Sequence, residues 1–262
     1  MKLNLYQVDA FTNKIFGGNS ACVVPLEKWL PDELLLKIAR ENAVAETAFF
    51  VLANEGYHLR WFTPEIEMDL CGHATLATAH VLKQHLGFAG NQIILQSKSG
   101  ELKVALDNEL YTMDFPSRMP VPAELPVIIK NALSIQPTET WLSRDYMLVY
   151  EKEQDVRDIQ INRQVVDQIN LDPGGIIITA KGEQSDFVSR FFATQASIFE
   201  DPVTGSSHCT LIPYWSRRLN KTKMSALQLS ERGGQLFCDD KGDRVLIAGE
   251  SRTYSVGMMR TE

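Results

Sequence analysis

Three pairs of segments recur in the same order at nearly half the chain length, and this repetition restricts the fold more than any other feature. Arg60-Trp61-Phe62-Thr63-Pro64 is answered by Arg190-Phe191-Phe192-Ala193-Thr194, 130 residues later. Asp69-Leu70-Cys71-Gly72-His73-Ala74-Thr75-Leu76 is answered by Asp201-Pro202-Val203-Thr204-Gly205-Ser206-Ser207-His208, with an offset of 133 at the glycine step. Ile94 to Leu102 matches Gln228 to Leu236, with an offset of 134. A period this long is not that of a solenoid array. It reads as duplication and fusion of one lobe, within 262 residues that allow one large domain or two small ones.

Each half sketches as strands, one buried helix, and more strands. Leu3 to Val8, Ala48 to Leu52 and Tyr57 to Phe62 have strand composition or alternation. Pro31-Asp32-Glu33 opens an amphipathic helix with Leu34, Leu35, Ile38 and Ala39 on one face. From His73 to Leu86 the pattern is apolar around most of the circumference, which marks a helix buried on several sides. Gly87 stops it. In the second half, Tyr146 to Tyr150, Gly175 to Thr179 and Phe187 to Phe192 read as strands, and Ser206 to Leu219 is the matching helix. Pro116, Pro120, Pro122 and Pro126 form the expected linker. The expectation is an α+β fold of two pseudo-symmetric lobes, each a rolled β-sheet or barrel around a central helix. The N-terminal lobe spans residues 1–117, completed by the last strand at about 250–262, and the C-terminal lobe spans 118–249. No Gly-x-Gly-x-x-Gly follows a strand and no phosphate-loop signature occurs, which disfavours a doubly wound nucleotide fold.

Composition narrows the partners. With 33 acidic and 26 basic residues the net charge is −7, so no basic stripe for nucleic acid or an anionic membrane is expected. No apolar run approaches the roughly 18 residues of a membrane span. The N-terminal residues alternate like a strand rather than a signal peptide. Cys22, Cys71, Cys209 and Cys238 are too scattered for a disulfide framework, and a reducing cytoplasm is the expected compartment.

The candidate chemistry gathers at the two glycine steps. Cys71-Gly72-His73-Ala74 and Thr204-Gly205-Ser206 each place a glycine at a helix start, where backbone can approach a ligand and unpartnered N–H groups attract an anion. Two such termini facing each other would hold a carboxylate, although ordinary capping and a tight turn explain either one alone. Glu46, beside Phe49 and Phe50, is a candidate general acid/base, its partial desolvation acting to raise its pKa. It is equally a residue at the start of a strand. His73 at a helix N-terminus suits a neutral hydrogen-bonding role. Cys71 at the same terminus is a candidate thiol base, or a small buried residue. Asp201 lies in turn chemistry. Asn19 follows Gly17-Gly18, and Gly233 lies in Arg232-Gly233-Gly234; each could approach a ligand or only form a bend. Cys71, His73, His208 and Cys209 lack zinc-site pairing in sequence, so no metal is expected.

These runs resemble the phenazine biosynthesis PhzF-like family of isomerases: Asp9-Ala10-Phe11, Gly18-Asn19, Glu46-Thr47-Ala48-Phe49, Cys71 to Leu76, Asp201 to Ser206 and Arg232-Gly233-Gly234. The resemblance implies a diaminopimelate epimerase-like fold, no cofactor, and usually a homodimer. It places the acid/base glutamate on Glu46, its partner histidine on His73 and an aspartate on Asp201. Asn19, Gly72, Ala74, Gly205, Ser206 and Gly233 are then the residues that bind substrate. Thr204 stands where the epimerase relatives carry a second cysteine. The expected activity is cofactor-independent proton transfer on a small carboxylate. A racemase using Cys71 and a non-catalytic carboxylate-binding protein are the alternatives.

Overall fold

The computed structural model describes residues 1–261 and divides into two compact units, residues 1–114 with 248–261, and residues 115–247. The first is built on two crossover connections. Strand Asn19–Leu26 runs parallel to Glu46–Leu52, and helix Asp32–Asn42 joins them. Parallel neighbours need such a crossover. Glu46–Leu52 pairs antiparallel with Tyr57–Phe62, which pairs with the short Glu67–Met68. Helix Gly72–Gln84 then carries the chain to Gln92–Ser97, parallel to Tyr57–Phe62. Antiparallel strands Gly100–Asp107 and Leu110–Pro116 follow. The C-terminal strand Ser251–Arg260 pairs along the whole of Lys2–Ala10.

The second unit repeats this order. Tyr146–Val149 lies parallel to Ile176–Lys181, with two short helices in the crossover. Ile176–Lys181 pairs antiparallel with Phe187–Phe192, which pairs with the short Glu200–Asp201. Helix Gly205–Leu219 leads to Lys223–Gln228, parallel to Phe187–Phe192, and Gly234–Asp240 returns antiparallel. The duplication also fixes one side-chain device. Arg60 grips Glu67 through two bonds of 2.7 and 2.8 Å, and Arg190 grips Glu200 at 2.7 and 2.9 Å. Each guanidinium lies over the phenylalanine two residues on, Phe62 at 5.1 Å and Phe192 at 4.9 Å. Bidentate pairing beneath an aromatic ring suits arginine and not lysine. The arginines were visible in the sequence repeat; their acidic partners were not.

Both long central helices are buried nearly all round. In Gly72–Gln84 every side chain from His73 to Leu82 is buried. Two of its threonines bond locally: Thr75 Oγ1 donates to the Cys71 carbonyl at 2.5 Å and Thr78 Oγ1 to that of Ala74 at 2.8 Å. Helix Gly205–Leu219 contains Pro213, which lacks the N–H that would bond the carbonyl four residues back. That carbonyl, of Cys209, instead accepts from the Arg118 backbone N–H at 2.9 Å. The proline-rich stretch is therefore no free linker. It lies in the second unit, and Val121–Pro122 pairs with Trp141 and Leu142.

Gly18 is forced by its backbone. Gly18 has φ +61°, and a Cβ there would collide with the Ala10 carbonyl oxygen. Asp9 ties down the same loop, accepting from the Phe16 N–H at 2.9 Å. Gly18→Ala is expected to cost about 1–3 kcal/mol in urea unfolding, from left-handed strain plus the collision. It should also shift Asn19, the next residue.

Candidate functional site

Four sequence-predicted residues of the first unit come together at the start of helix Gly72–Gln84. Glu46 opens its strand, Asn19 opens the parallel neighbour, and Cys71 caps the helix in extended backbone. Parallel pairing sets Glu46 opposite Ala21, so Asn19 and Glu46 share one sheet end. His73 Nε2 stands 3.0 Å from Glu46 Oε2. The approach is an ion-pair contact out of line for a hydrogen bond, so buried Oε2 has no hydrogen-bonding partner among the described residues. On the other side of the ring, Nδ1 lies 3.3 Å from Asn19 Nδ2 and 3.5 Å from Cys71 Sγ. Gly72 and Ala74 occupy the first turn beside these groups.

The electrostatics correct two expectations. Burial, with the Glu46 carboxylate beside it, pushes the Cys71 thiol up rather than down. The helix terminus does not outweigh desolvation and a nearby negative charge. For His73, burial opposes charge on the ring, yet Cys71 and Glu46 prevail and hold its pKa well above the ordinary 6.5. The two shifts cannot both come from a thiolate–imidazolium pair. A thiol whose pKa is raised is neutral near pH 7, so the carboxylate is the partner that keeps the proton on His73. The histidine expected to be neutral is thus the cation of a buried ion pair. With both nitrogens protonated, Asn19 receives the Nδ1 proton only when its amide oxygen is turned towards the ring.

Asp201, Gly205, Ser206 and Gly233 form a separate group in the second unit. Thr204 Oγ1 donates to Asp201 Oδ2 at 2.5 Å. Gln228, which sequence reasoning missed, is almost wholly buried and holds this loop at three points. Its Nε2 donates to the Asp201 carbonyl at 2.8 Å and to Thr204 Oγ1 at 3.2 Å, while its Oε1 accepts from the Thr204 N–H at 2.9 Å. Ser230 Oγ donates to the Pro202 carbonyl at 2.7 Å, and the Gly233 N–H donates to Ser230 Oγ at 3.1 Å. Gly233, with φ +63°, therefore closes a turn that braces the aspartate loop. Ser206 does not cap its helix; it accepts from Arg144 Nη2 at 3.0 Å. Arg144 also bonds Asp145, whose pKa burial raises despite the arginine. Nothing in the local sequence marks Gln228 or Arg144, because their partners lie 24 and 62 residues away.

The family described as phenazine biosynthesis-like protein matches residues 8–257. An uncharacterized isomerase of Pseudomonas aeruginosa is 45% identical over 261 residues, covering 99% of each chain. The crystal structure of a PhzF-family phenazine biosynthesis protein from Enterococcus faecalis superposes with a TM-score of 0.96 at 44% identity, covering 99% of this chain and 100% of that one. A hydroxyproline epimerase from Agrobacterium vitis shares the fold alone, with a TM-score of 0.60 at 11% identity over 98% of this chain and 92% of its own. No helix among the described residues is long and apolar enough to cross a membrane.

Proposed function

Because the chain belongs to the phenazine biosynthesis-like protein family, we propose that it is a cofactor-independent isomerase that moves a proton between carbons of a small carboxylate. The observation that carries this reading is the buried Glu46–His73 pair at 3.0 Å. A carboxylate with a buried oxygen that accepts no hydrogen bond is a competent acceptor for a carbon-bound proton. The imidazolium beside it is a donor, and it offsets charge that develops on the substrate. Glu46 takes the proton from one carbon and returns it to another of the conjugated system. His73 holds the ionised carboxylate in place. Asn19 orients His73, and the N–H groups of the first helical turn from Gly72 to Ala74 receive the substrate carboxylate. Asp201, steadied by Thr204 and Gln228, orients the substrate or carries protons on its heteroatoms, with Gly205, Ser206 and the Gly233 turn as further binding elements.

A racemase using Cys71 as its base is the second reading, favoured by the 3.5 Å approach of its sulfur to His73. The upward shift of the thiol weighs against it. Full activity after alkylation of Cys71 would exclude it. The resemblance further implies a homodimer, which light scattering on the purified protein checks, and the scattered cysteines point to a reducing cytoplasm.

The test is proton wash-in from D₂O, followed by ¹H NMR, over a panel of small unsaturated and saturated carboxylic acids. Acids that raise the melting temperature are taken first, since a ligand of the native state stabilises it. Exchange at a carbon of one such acid, with a shifted double bond in the product, is the expected result. Binding without exchange across the panel would leave a carboxylate-binding protein and sink the isomerase reading.

A further inference from the structure

We propose that the outer edge of strand Ser251–Arg260 is the docking surface for a second copy of this chain, whose own Ser251–Arg260 pairs antiparallel with it about a two-fold axis at Gly257. The strand pairs along Lys2–Ala10 on one side. No strand among the described residues takes its other side, and Tyr254 to Met258 are all exposed. A row of backbone N–H and C=O groups therefore stands outside any ladder. Edge strands are normally shielded by lysine, proline or an inward charge. The run Tyr254-Ser255-Val256-Gly257-Met258 carries no charge and no proline.

The side chains point the same way. Val256 and Met258 alternate onto one face of the strand and are 58% and 61% exposed. Tyr254 is exposed as well, and its ring meets Phe16 edge-on at 5.5 Å. Phe16 is 67% exposed and holds φ +68°, which a bulky residue adopts only at a cost. A strained loop that presents an aromatic ring to water is accounted for by a partner that covers the ring.

Self-complementarity selects a second copy as the occupant. Two identical strands pair antiparallel about a two-fold axis, so one edge supplies both halves of the interface. The alternation of N–H direction along a strand places that axis at a residue rather than between two. Charge then selects the residue. An axis at Gly257 sets Val256 against Met258 of the other copy, and Tyr254 against its Arg260, an apolar pair and a guanidinium over an aromatic ring. An axis at Val256 would set Arg252 directly against Arg260, two like charges. Earlier axes also draw in the bulge at Tyr254, where Gln7 faces Ser255 but Val8 faces Thr253. The inference names the interface of the homodimer that the resemblance implies, and it rests on no part of the isomerase chemistry.

The experiment combines light scattering with cross-linking of the full chain. The wild type is expected at twice the chain mass of 29.5 kDa. Val256→Asp together with Met258→Asp should halve that mass and leave the circular dichroism unchanged, because both side chains are exposed. Leu52→Asp, at another exposed apolar position of the same unit, should remain dimeric. Gly257→Cys reads the register. A Cβ at Gly257 meets open space, and the four native cysteines are buried. Mild oxidation should therefore join the Gly257→Cys chains into a covalent dimer, and Leu52→Cys should not cross-link. Should the double variant not fold, the cross-link decides alone. A monomeric wild type overturns the proposal and leaves the edge to a strand of a different protein. A double variant that stays dimeric, or a dimeric Gly257→Cys protein that does not cross-link, overturns it too, since the copies then meet elsewhere.

Discussion

Glu46→Gln is expected to keep the fold and slow carbon proton exchange by about 10²–10⁴-fold, the range of a positioned acid/base group. Glutamine is isosteric and keeps the packing, but it removes one half of a buried ion pair, so stability should fall unless His73 gives up its proton. What disappears is the proton acceptor and the partner of the His73 charge. With the carboxylate gone, less opposes the effect of burial on the ring, and the His73 pKa should fall. The same variant therefore has two readouts: deuterium wash-in by NMR for the chemistry, and the titration of the His73 ring signals for the ion pair. Wild-type exchange in a folded Glu46→Gln protein would falsify the assignment of the base. A His73 titration that did not move would show that the carboxylate is not what holds the proton there.

The second large effect is on acid stability. His208 is fully buried, and desolvation pushes its pKa down to about 4. Its Nδ1–H donates to the Thr204 carbonyl at 2.8 Å, and Nε2 has no partner among the described residues. Protonation would bury an unpaired charge between Phe187 and the helix. In the unfolded chain the imidazole regains its ordinary value, so as pH falls the unfolded state binds the proton first. The stabilisation is complete above pH 6.5 and is lost as pH drops towards 4. The loss amounts to about 3 kcal/mol at pH near 4, a shift of about 2.5 pKa units at 1.36 kcal/mol each. His80 in the first unit behaves alike. Desolvation, aided by His85 and Arg252, lowers its pKa to about 4 as well. Urea unfolding between pH 7 and 4 should thus steepen below pH 6.5. His208→Gln, which retains a donor but does not titrate, should remove about 3 kcal/mol of that pH dependence. An unchanged acid limb would mean that the ring finds a partner when charged.

The chain itself carried the repeat, and the repeat carried the architecture. Each half contains an Arg-aromatic-Phe strand, a glycine step and a helix apolar on all sides, and such a helix has to be wrapped by sheet. Strand and helix identities follow from periods of 2 and 3.6, which are local properties. For the same reason Gly72, Gly205 and the residues beside them could be read as helix starts. Asn19, Glu46 and His73 could be named one by one, from their turn, strand and helix-cap settings and from a family resemblance.

What lay beyond the sequence is everything set by contacts between distant residues. The pairing of Glu46 with His73, the acidic grips on Arg60 and Arg190, and the clamp of Gln228 on the Asp201 loop depend on strand register, which no local pattern encodes. The charge states reversed for the same reason. A helix terminus, visible in sequence, favours a thiolate and a neutral imidazole. Burial and a carboxylate delivered by another strand keep the thiol neutral, and on the imidazole that carboxylate, acting against burial, favours the charged ring. Sequence determined which elements form and which side chains stand at their ends. Tertiary structure alone decided which of those ends meet, and so where the protons reside.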